Sequence, residues 1–166
     1  REKVWNTDAV TGCKRFLSRF FDLAHSEKLT EEPSEEANKL AHRLVNLVTQ
    51  KIEGLEFNTA IAHMMEFINE FTALAAYPKS SVKMALQMLY PFAPHLAEEL
   101  WQVLGEKNFL AYEPIPPVDP QYLVDETATY VVQINGKLRA RFDRPKGQTE
   151  EQILHYAKGL TEVQTP

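Results

Sequence analysis

The chain has 166 residues, 44% hydrophobic and 25% charged, with one cysteine and a net charge of −5. These totals suit one domain, or one domain with a small appendage, and a single cysteine excludes an intrachain disulfide. No apolar run approaches the ~20 residues of a membrane-spanning helix, the charged start lacks a signal-peptide core, and the cysteine usage fits a reducing, cytoplasmic setting.

Helix signals dominate the first two thirds. In "DAVTGCKRFLSRFFDLAHSE", Val10, Cys13, Leu17, Phe20 and Ala24 recur at the three-and-four spacing of a buried stripe. Asp8 is placed to cap this helix, and Cys13 is expected to pack rather than react. After the acidic loop "LTEEPSEE", Ser34 is the expected cap of a second helix whose stripe runs Leu40, Leu44, Leu47 and Lys51, with Gly54 as its stop. A third helix begins near Asn58, with Ile61, Met65, Ile68 and Phe71 or Thr72 facing inward and Pro78 closing it. A fourth runs from Ser80 through Met84, Leu86, Met88 and Leu89 to "YPFAPH". There Pro91 and Pro94 each remove an N–H and crowd the preceding turn, so no straight helix passes. "PHLAEELWQVLG" then makes a fifth piece, burying Leu96, Leu100, Trp101 and Leu104 and ending at Gly105.

The pattern predicts a mainly α protein, an antiparallel helical bundle over residues 1–112. Residues 113–124, beginning "EPIPPVD", form a stiff Pro-rich linker. Residues 125–166 follow as a small α+β module with a β-hairpin and one helix, capped by Thr149, facing the sheet through Ile153, Leu154 and Ala157, and ended by Gly159. Two strands and a helix bury little. The chain stops where a further strand is expected, so the module reads as truncated.

Charge is unevenly placed. From Lys137 to Lys146 there are five cations and one anion, a local +4, so the remainder carries −9. In "VVQINGKLRARF" a two-residue Asn135-Gly136 turn sets Ile134 opposite Lys137, Val132 opposite Arg139 and Tyr130 opposite Arg141. That register gathers the three cations and Tyr130 on one face and leaves Val131, Gln133, Leu138, Ala140, Thr129 and Phe142 for the helix to cover. Same-face residues ~6.6 Å apart suit a sugar–phosphate backbone, although lysines and arginines also protect strand edges from aggregation. Both readings stand on the residues alone. On the first helix, Arg15 and Arg19 are like charges at i,i+4, which requires an anionic ligand or an acidic neighbour.

Catalytic patterns are absent from the sequence: it holds no Gly-rich phosphate loop, Gly-x-Ser-x-Gly or His-Glu-x-x-His. His63-x-x-Glu66 and His95-x-x-Glu98 reverse the Glu-x-x-His order of bundle di-metal sites and are not read as metal ligands. The methionines read as core filler. No catalytic, cofactor-binding or metal residue is therefore assigned.

"WNTDAVTGCKRFLSRFF", "FNTAIAHMMEFIN" and "YPFAPHLAEELW" resemble the post-catalytic helical bundle of class I aminoacyl-tRNA synthetases, and "VVQINGKLR" resembles the C-terminal domain of bacterial-type leucyl-tRNA synthetases. The resemblance implies a tRNA-binding section whose partners are tRNA(Leu) and the catalytic and editing domains of the same polypeptide, not DNA or a membrane. ATP, with Mg, would belong to the catalytic domain, whose "HIGH" and "KMSKS" motifs are not in this sequence. The "RFLSR" match implies Arg15 and Arg19 as contacts to the tRNA backbone, and "NGKLR" implies Lys137 and Arg139. Electrostatics alone adds Arg141, Arg144 and Lys146. A valine, isoleucine or methionine enzyme, or a helical protein-interaction module, remains the alternative.

Overall fold

The computed structural model describes residues 7–124, 127–134, 137–145 and 149–160. They divide into two compact units, one reaching to Leu123 and one beginning at Val124.

The first unit is the expected helical bundle. Helix α1 (Thr7–Ala24), strand β1 (Leu29–Thr30), helices α2 (Glu35–Glu53) and α3 (Phe57–Phe71), strand β2 (Tyr77–Pro78), and helices α4 (Lys79–Leu89) and α5 (Pro94–Val103) follow in order. Helix α2 packs on α3 and α4, while α1 packs on α3 and α5. Their common core holds Phe20, Val48, Met64, Ile68, Phe71, Leu86 and Leu100, all essentially inaccessible to solvent. Each such side chain stabilises the fold by roughly 1.5–3 kcal/mol.

Locally encoded features stand where the sequence puts them. The Ser34 hydroxyl accepts from Ala37 N at the start of α2, where Glu35 and Glu36 complement the helix dipole. Helix α4 ends at Leu89 and α5 opens with Pro94 in its first turn, the break the prolines dictate. Gly105 takes φ +94 after α5, a conformation that favours glycine. Helix α1 begins at Thr7, one residue ahead of the expected Asp8 cap, whose side chain lies outside the described residues.

The phase of several stripes differs. In α1 the buried residues are Phe16, Phe20, Leu23 and Ala24, whereas Val10 and Cys13 are exposed and Leu17 is half-buried. In α2 burial centres on Ala37, Ala41, Leu44, Val45 and Val48. Leu40 and Leu47 flank it. In α3 Met64 and Phe67 take the central places, with Ile61 and Met65 at the margin. In α5 Ala97 is buried and Leu96 only partly. The physical reason is shared: these helices are apolar over a wide arc, and small alanines allow closer approach than leucines on the adjoining face.

The turn after α2 also departs from expectation. Gly54 keeps φ −79, and the left-handed residue is Leu55, φ 57. Glu56 N donates to Lys51 O at 2.8 Å, the six-to-one bond of a Schellman turn. Pro78 does not close α3, which ends at Phe71. It pairs with Thr30 in a two-residue parallel bridge, Leu29 opposite Tyr77, and precedes α4.

The Pro-rich segment is not a free spacer. Glu98 accepts from Leu110 N and Ala111 N, both at 2.9 Å, capping a 3-10 turn, Leu110–Tyr112. Gln87 Nε2 donates to Pro114 O at 2.9 Å. A second 3-10 turn, Pro120–Leu123, then returns to α2. There Tyr122 stacks on His42 at 4.7 Å, and Asp119 N donates to His42 Nδ1 at 3.2 Å. Burial beneath this strap lowers the His42 pKa below its ordinary value, against a smaller opposing pull from Asp119.

The second unit pairs strand β3 (Thr127–Ile134) antiparallel with strand β4 (Lys137–Pro145) and adds helix α6 (Glu150–Gly159). Thr149 and Gln152 form a capping box at the start of α6. The Asn135-Gly136 turn lies outside the described residues, as do the last six residues, where a further strand is expected.

Candidate nucleic-acid interface

The hairpin register begins as the sequence suggests, with Ile134 opposite Lys137 and Gln133 opposite Leu138, then breaks. Val132 faces Ala140, so Arg139 is an extra residue, a β-bulge. Beyond it Val131 opposes Arg141 and Tyr130 opposes Phe142. The expected pairings of Val132 with Arg139 and Tyr130 with Arg141 are therefore corrected. One added residue shifts the strand by one and exchanges its faces relative to β3.

The two faces follow from that register. Tyr130, Val132, Ala140, Phe142 and Arg144 share the side covered by α6, with Ala140 buried. Tyr130 stacks on Phe142 at 5.8 Å, and Phe142 meets Tyr156 of α6 at 5.0 Å. Val131, Gln133, Leu138 and Arg141 occupy the open side, and all four are exposed. The expectation that Val131, Gln133 and Leu138 sit under the helix is thus reversed, while Ala140 and Phe142 stand as expected. On α6, Ala157 is buried, Ile153 is half-buried and Leu154 is exposed. Tyr156, against Phe142, takes the sheet-facing place expected of Leu154.

The cations of the hairpin consequently differ in situation. Arg139 and Arg141 are exposed. Arg144 is half-buried, its guanidinium 4.0 Å over the Tyr156 ring, and its Nε is shielded from solvent without a hydrogen-bond partner. The cation–π contact holds the guanidinium against the ring. With Gln152 and His155 it lines a cleft of ≈ 520 Å³. The Lys137 side chain and all of Lys146 lie outside the described residues.

On α1, Arg15 and Arg19 separate into two roles. Phe16 and Phe20 anchor the helix in the core, which turns the intervening Arg19 toward the end of α3. Its Nη2 donates to Ile68 O at 3.2 Å and Thr72 Oγ1 at 3.1 Å, and its Nη1 donates to Asn69 Oδ1. Thr72 Oγ1 itself donates to Ile68 O at 2.6 Å. A guanidinium on the last carbonyls of a helix meets the negative end of its dipole. This, rather than an acidic side chain, is what permits the like-charged i,i+4 pair. Arg15 is exposed at the rim of an open cleft of ≈ 430 Å³ between α1 and α3. Among the described residues it has no polar partner. Sequence reasoning missed Asn69 and Tyr156 and read Thr72 only as an alternative to Phe71 on the inward face; a polar Asn-x-x-Thr pair ending an apolar helix was the available signal for Asn69 and Thr72.

His63 and Glu66 hydrogen-bond to each other at 3.0 Å, and Glu98 caps the 3-10 turn described above. Among the described residues no three His, Cys, Asp or Glu side chains converge as metal ligands, and no helix is long and apolar enough to cross a membrane.

The family described as the anticodon-binding domain of tRNA ligase matches residues 35–154. The chain belongs to this family. The matched span runs from α2 through the strap and hairpin into α6, and leaves α1 before it. Among curated relatives, the leucine–tRNA ligase of Protochlamydia amoebophila (strain UWE25) is 57% identical over 164 residues, covering 99% of this chain and 19% of that protein. The leucine–tRNA ligase of Chlamydia trachomatis serovar L2 is 46% identical over 158 residues, 95% of this chain and 19% of its own length. The chain thus spans about a fifth of the length of these two relatives. A solved structure of the Agrobacterium radiobacter K84 agnB2 LeuRS, in a ternary complex with tRNA and LeuAMS, matches with a TM-score of 0.74 and 27% identity. That match covers 97% of this chain and 24% of that one.

Proposed function

We propose that this chain is the tRNA-holding section of a leucine–tRNA ligase, positioning tRNA(Leu) for leucylation and editing by parts of the polypeptide outside it. The observation that supports this most is the match of nearly the whole chain to a synthetase whose solved complex contains tRNA, joined to 57% identity with a leucine ligase. The curated relatives named here are leucine enzymes, which favours that reading over the valine, isoleucine and methionine alternatives.

Within the chain, Arg15, Arg139 and Arg141 are the exposed cations that meet phosphate. Arg144, over the Tyr156 ring, offers a cation–aromatic pair of the kind unstacked RNA bases lie against. Lys137 and Lys146 extend the same basic stretch of sequence. Arg19 acts through the bundle, fixing α1 on α3 so that Arg15 is presented. The bundle itself, which carries the acidic balance of the chain, is scaffold.

ATP and Mg are read as belonging to the catalytic part of the ligase, the sequence of this chain holding no Gly-rich phosphate loop. Adenylate formation is accordingly assigned to the catalytic part of the ligase, and no step is placed on a residue of this chain. A cytoplasmic setting, where tRNA is charged, accords with this role.

The test is tRNA(Leu) binding by a full-length ligase containing this chain, with Arg15, Arg139 and Arg141 changed to Ala. Binding should weaken and its salt dependence flatten, by about one unit of slope for each phosphate no longer neutralised, while leucyl-adenylate formation stays normal. Unchanged tRNA affinity overturns the proposal.

A further inference from the structure

The cleft between α1 and α3 is lined by an amide that the bundle orients but only half uses. Arg19 Nη1 donates to Asn69 Oδ1. A guanidinium has donors and no acceptor, so the amide must keep its oxygen on Arg19. What Asn69 offers the cleft is therefore Nδ2, whose two N–H donors have no partner among the described residues. Arg15 stands at the same rim without a polar partner, and among the described residues no carboxylate lines the cleft. Its cations and its amide thus present donors alone.

The floor is apolar, formed by Phe16 and Met65, and it opens beside Gly12. Gly12 lies inside α1, where glycine is less stable than alanine. A Cβ built there would meet nothing within 4 Å, so packing within the fold does not account for the missing side chain. Room for a flat ligand to approach the helix backbone does.

These features select an occupant. A phosphate would give up hydration against an aromatic ring and a thioether, and it would leave most of the ≈ 430 Å³ unfilled. A planar base suits the floor. Donors without acceptors suit guanine, whose O6 and N7 are neighbouring acceptors. Adenine is disfavoured, because asparagine reads it through both ends of the amide and the oxygen end is already held by Arg19.

We propose that the cleft between Arg15 and Asn69 receives a guanine of tRNA(Leu), with Arg15 and Asn69 Nδ2 donating to O6 and N7 and Arg19 positioning the amide. The inference rests on the ligase reading above and adds the base that α1 and α3 recognise.

Asn69→Asp isolates the claim. A carboxylate still accepts from Arg19 through a charge-assisted bond, so the melting temperature should not fall, but an oxygen replaces the Nδ2 donor. In a full-length ligase containing this chain, tRNA(Leu) affinity should drop on the order of tenfold. The same ratio should hold at raised salt, where repulsion between the new carboxylate and phosphates is screened. Gly12→Leu, which fills the cleft and leaves both polar groups in place, should weaken binding comparably without lowering the melting temperature. Transcripts with single 7-deazaguanine substitutions, which lack the N7 acceptor, locate the base. At one guanine the substitution should weaken binding to the wild-type ligase and add no further loss in the Asn69→Asp variant. Wild-type affinity in Asn69→Asp or Gly12→Leu overturns the proposal, as does an Asn69→Asp defect that vanishes at raised salt. A 7-deazaguanine pattern identical in both proteins also overturns it. A ligase that binds no tRNA(Leu) under any of these conditions fails the ligase reading itself, so the two failures are distinguishable.

Discussion

The Arg19 guanidinium lies 3.2 Å from the carbonyl oxygen of Ile68, closing the C-terminal end of α3 from a different helix. With its bonds to Thr72 and Asn69, this makes a residue that resembles an RNA contact in sequence into part of the bundle frame. Arg19→Ala should destabilise the chain by about 1.5–3 kcal/mol, the range for hydrogen bonds to a charged group. Arg19→Lys should recover less than half of that, because a point charge cannot serve Asn69, Ile68 and Thr72 together. Chemical denaturation of both variants checks the ordering.

Arg15→Ala provides the contrast. The side chain is exposed and has no polar partner among the described residues, so its removal should shift stability by less than ~0.5 kcal/mol while weakening tRNA(Leu) binding. Parallel melting and filter-binding curves for the Arg15 and Arg19 variants separate the two roles. Equal stability losses would remove the distinction.

His42 ties the Pro-rich strap to α2 by accepting from Asp119 N at 3.2 Å and stacking on Tyr122. An Nδ1 that accepts is unprotonated, and burial depresses the folded pKa below 6.5. The stability from this neutral ring is whole above pH ~6.5. As pH falls from there toward the depressed folded value, the unfolded chain binds the proton first and the strap loosens. Protection of the amides in residues 113–123, taken relative to the intrinsic exchange rate at each pH, should therefore fall below pH ~6.5, and His42→Gln should flatten that dependence.

Leu55 holds φ 57 at the Schellman turn after α2, with its side chain 75% exposed. A left-handed non-glycine residue costs about 1–2 kcal/mol, of which glycine returns part through its looser unfolded state. Leu55→Gly should raise stability by roughly 0.5–1 kcal/mol, visible as an upward shift in melting temperature. A decrease would show that the Leu55 side chain packs more than its exposure implies.

Features written in a few adjacent residues were legible in the sequence. The Ser34 and Thr149 caps, the break between Pro91 and Pro94, the stop at Gly105 and the helix–hairpin–helix order all depend on local chemistry. Features set by partners were not. Val10, Cys13 and Leu17 satisfy the same periodicity as Phe16, Phe20 and Leu23, and spacing cannot tell which apolar line meets the bundle. The Arg139 bulge carries no glycine or proline to announce it. The contacts that Arg19 and Arg144 make were not legible, because their partners stand on other elements: Ile68, Asn69 and Thr72 at the end of α3, and Tyr156 on α6.

The bulge carries a consequence for how this hairpin tolerates change in length. Removing Arg139 would leave Val132 opposite Ala140, Val131 opposite Arg141 and every other pairing in place, so the ribbon would simply become regular. Removing Arg141 instead would let the ribbon regularise only by setting Arg139 opposite Val132 on the α6 side and turning Ala140 out opposite Val131. Insertion and deletion variants of β4 should thus divide sharply by position, with a slack point beside the turn and a rigid stretch beyond it.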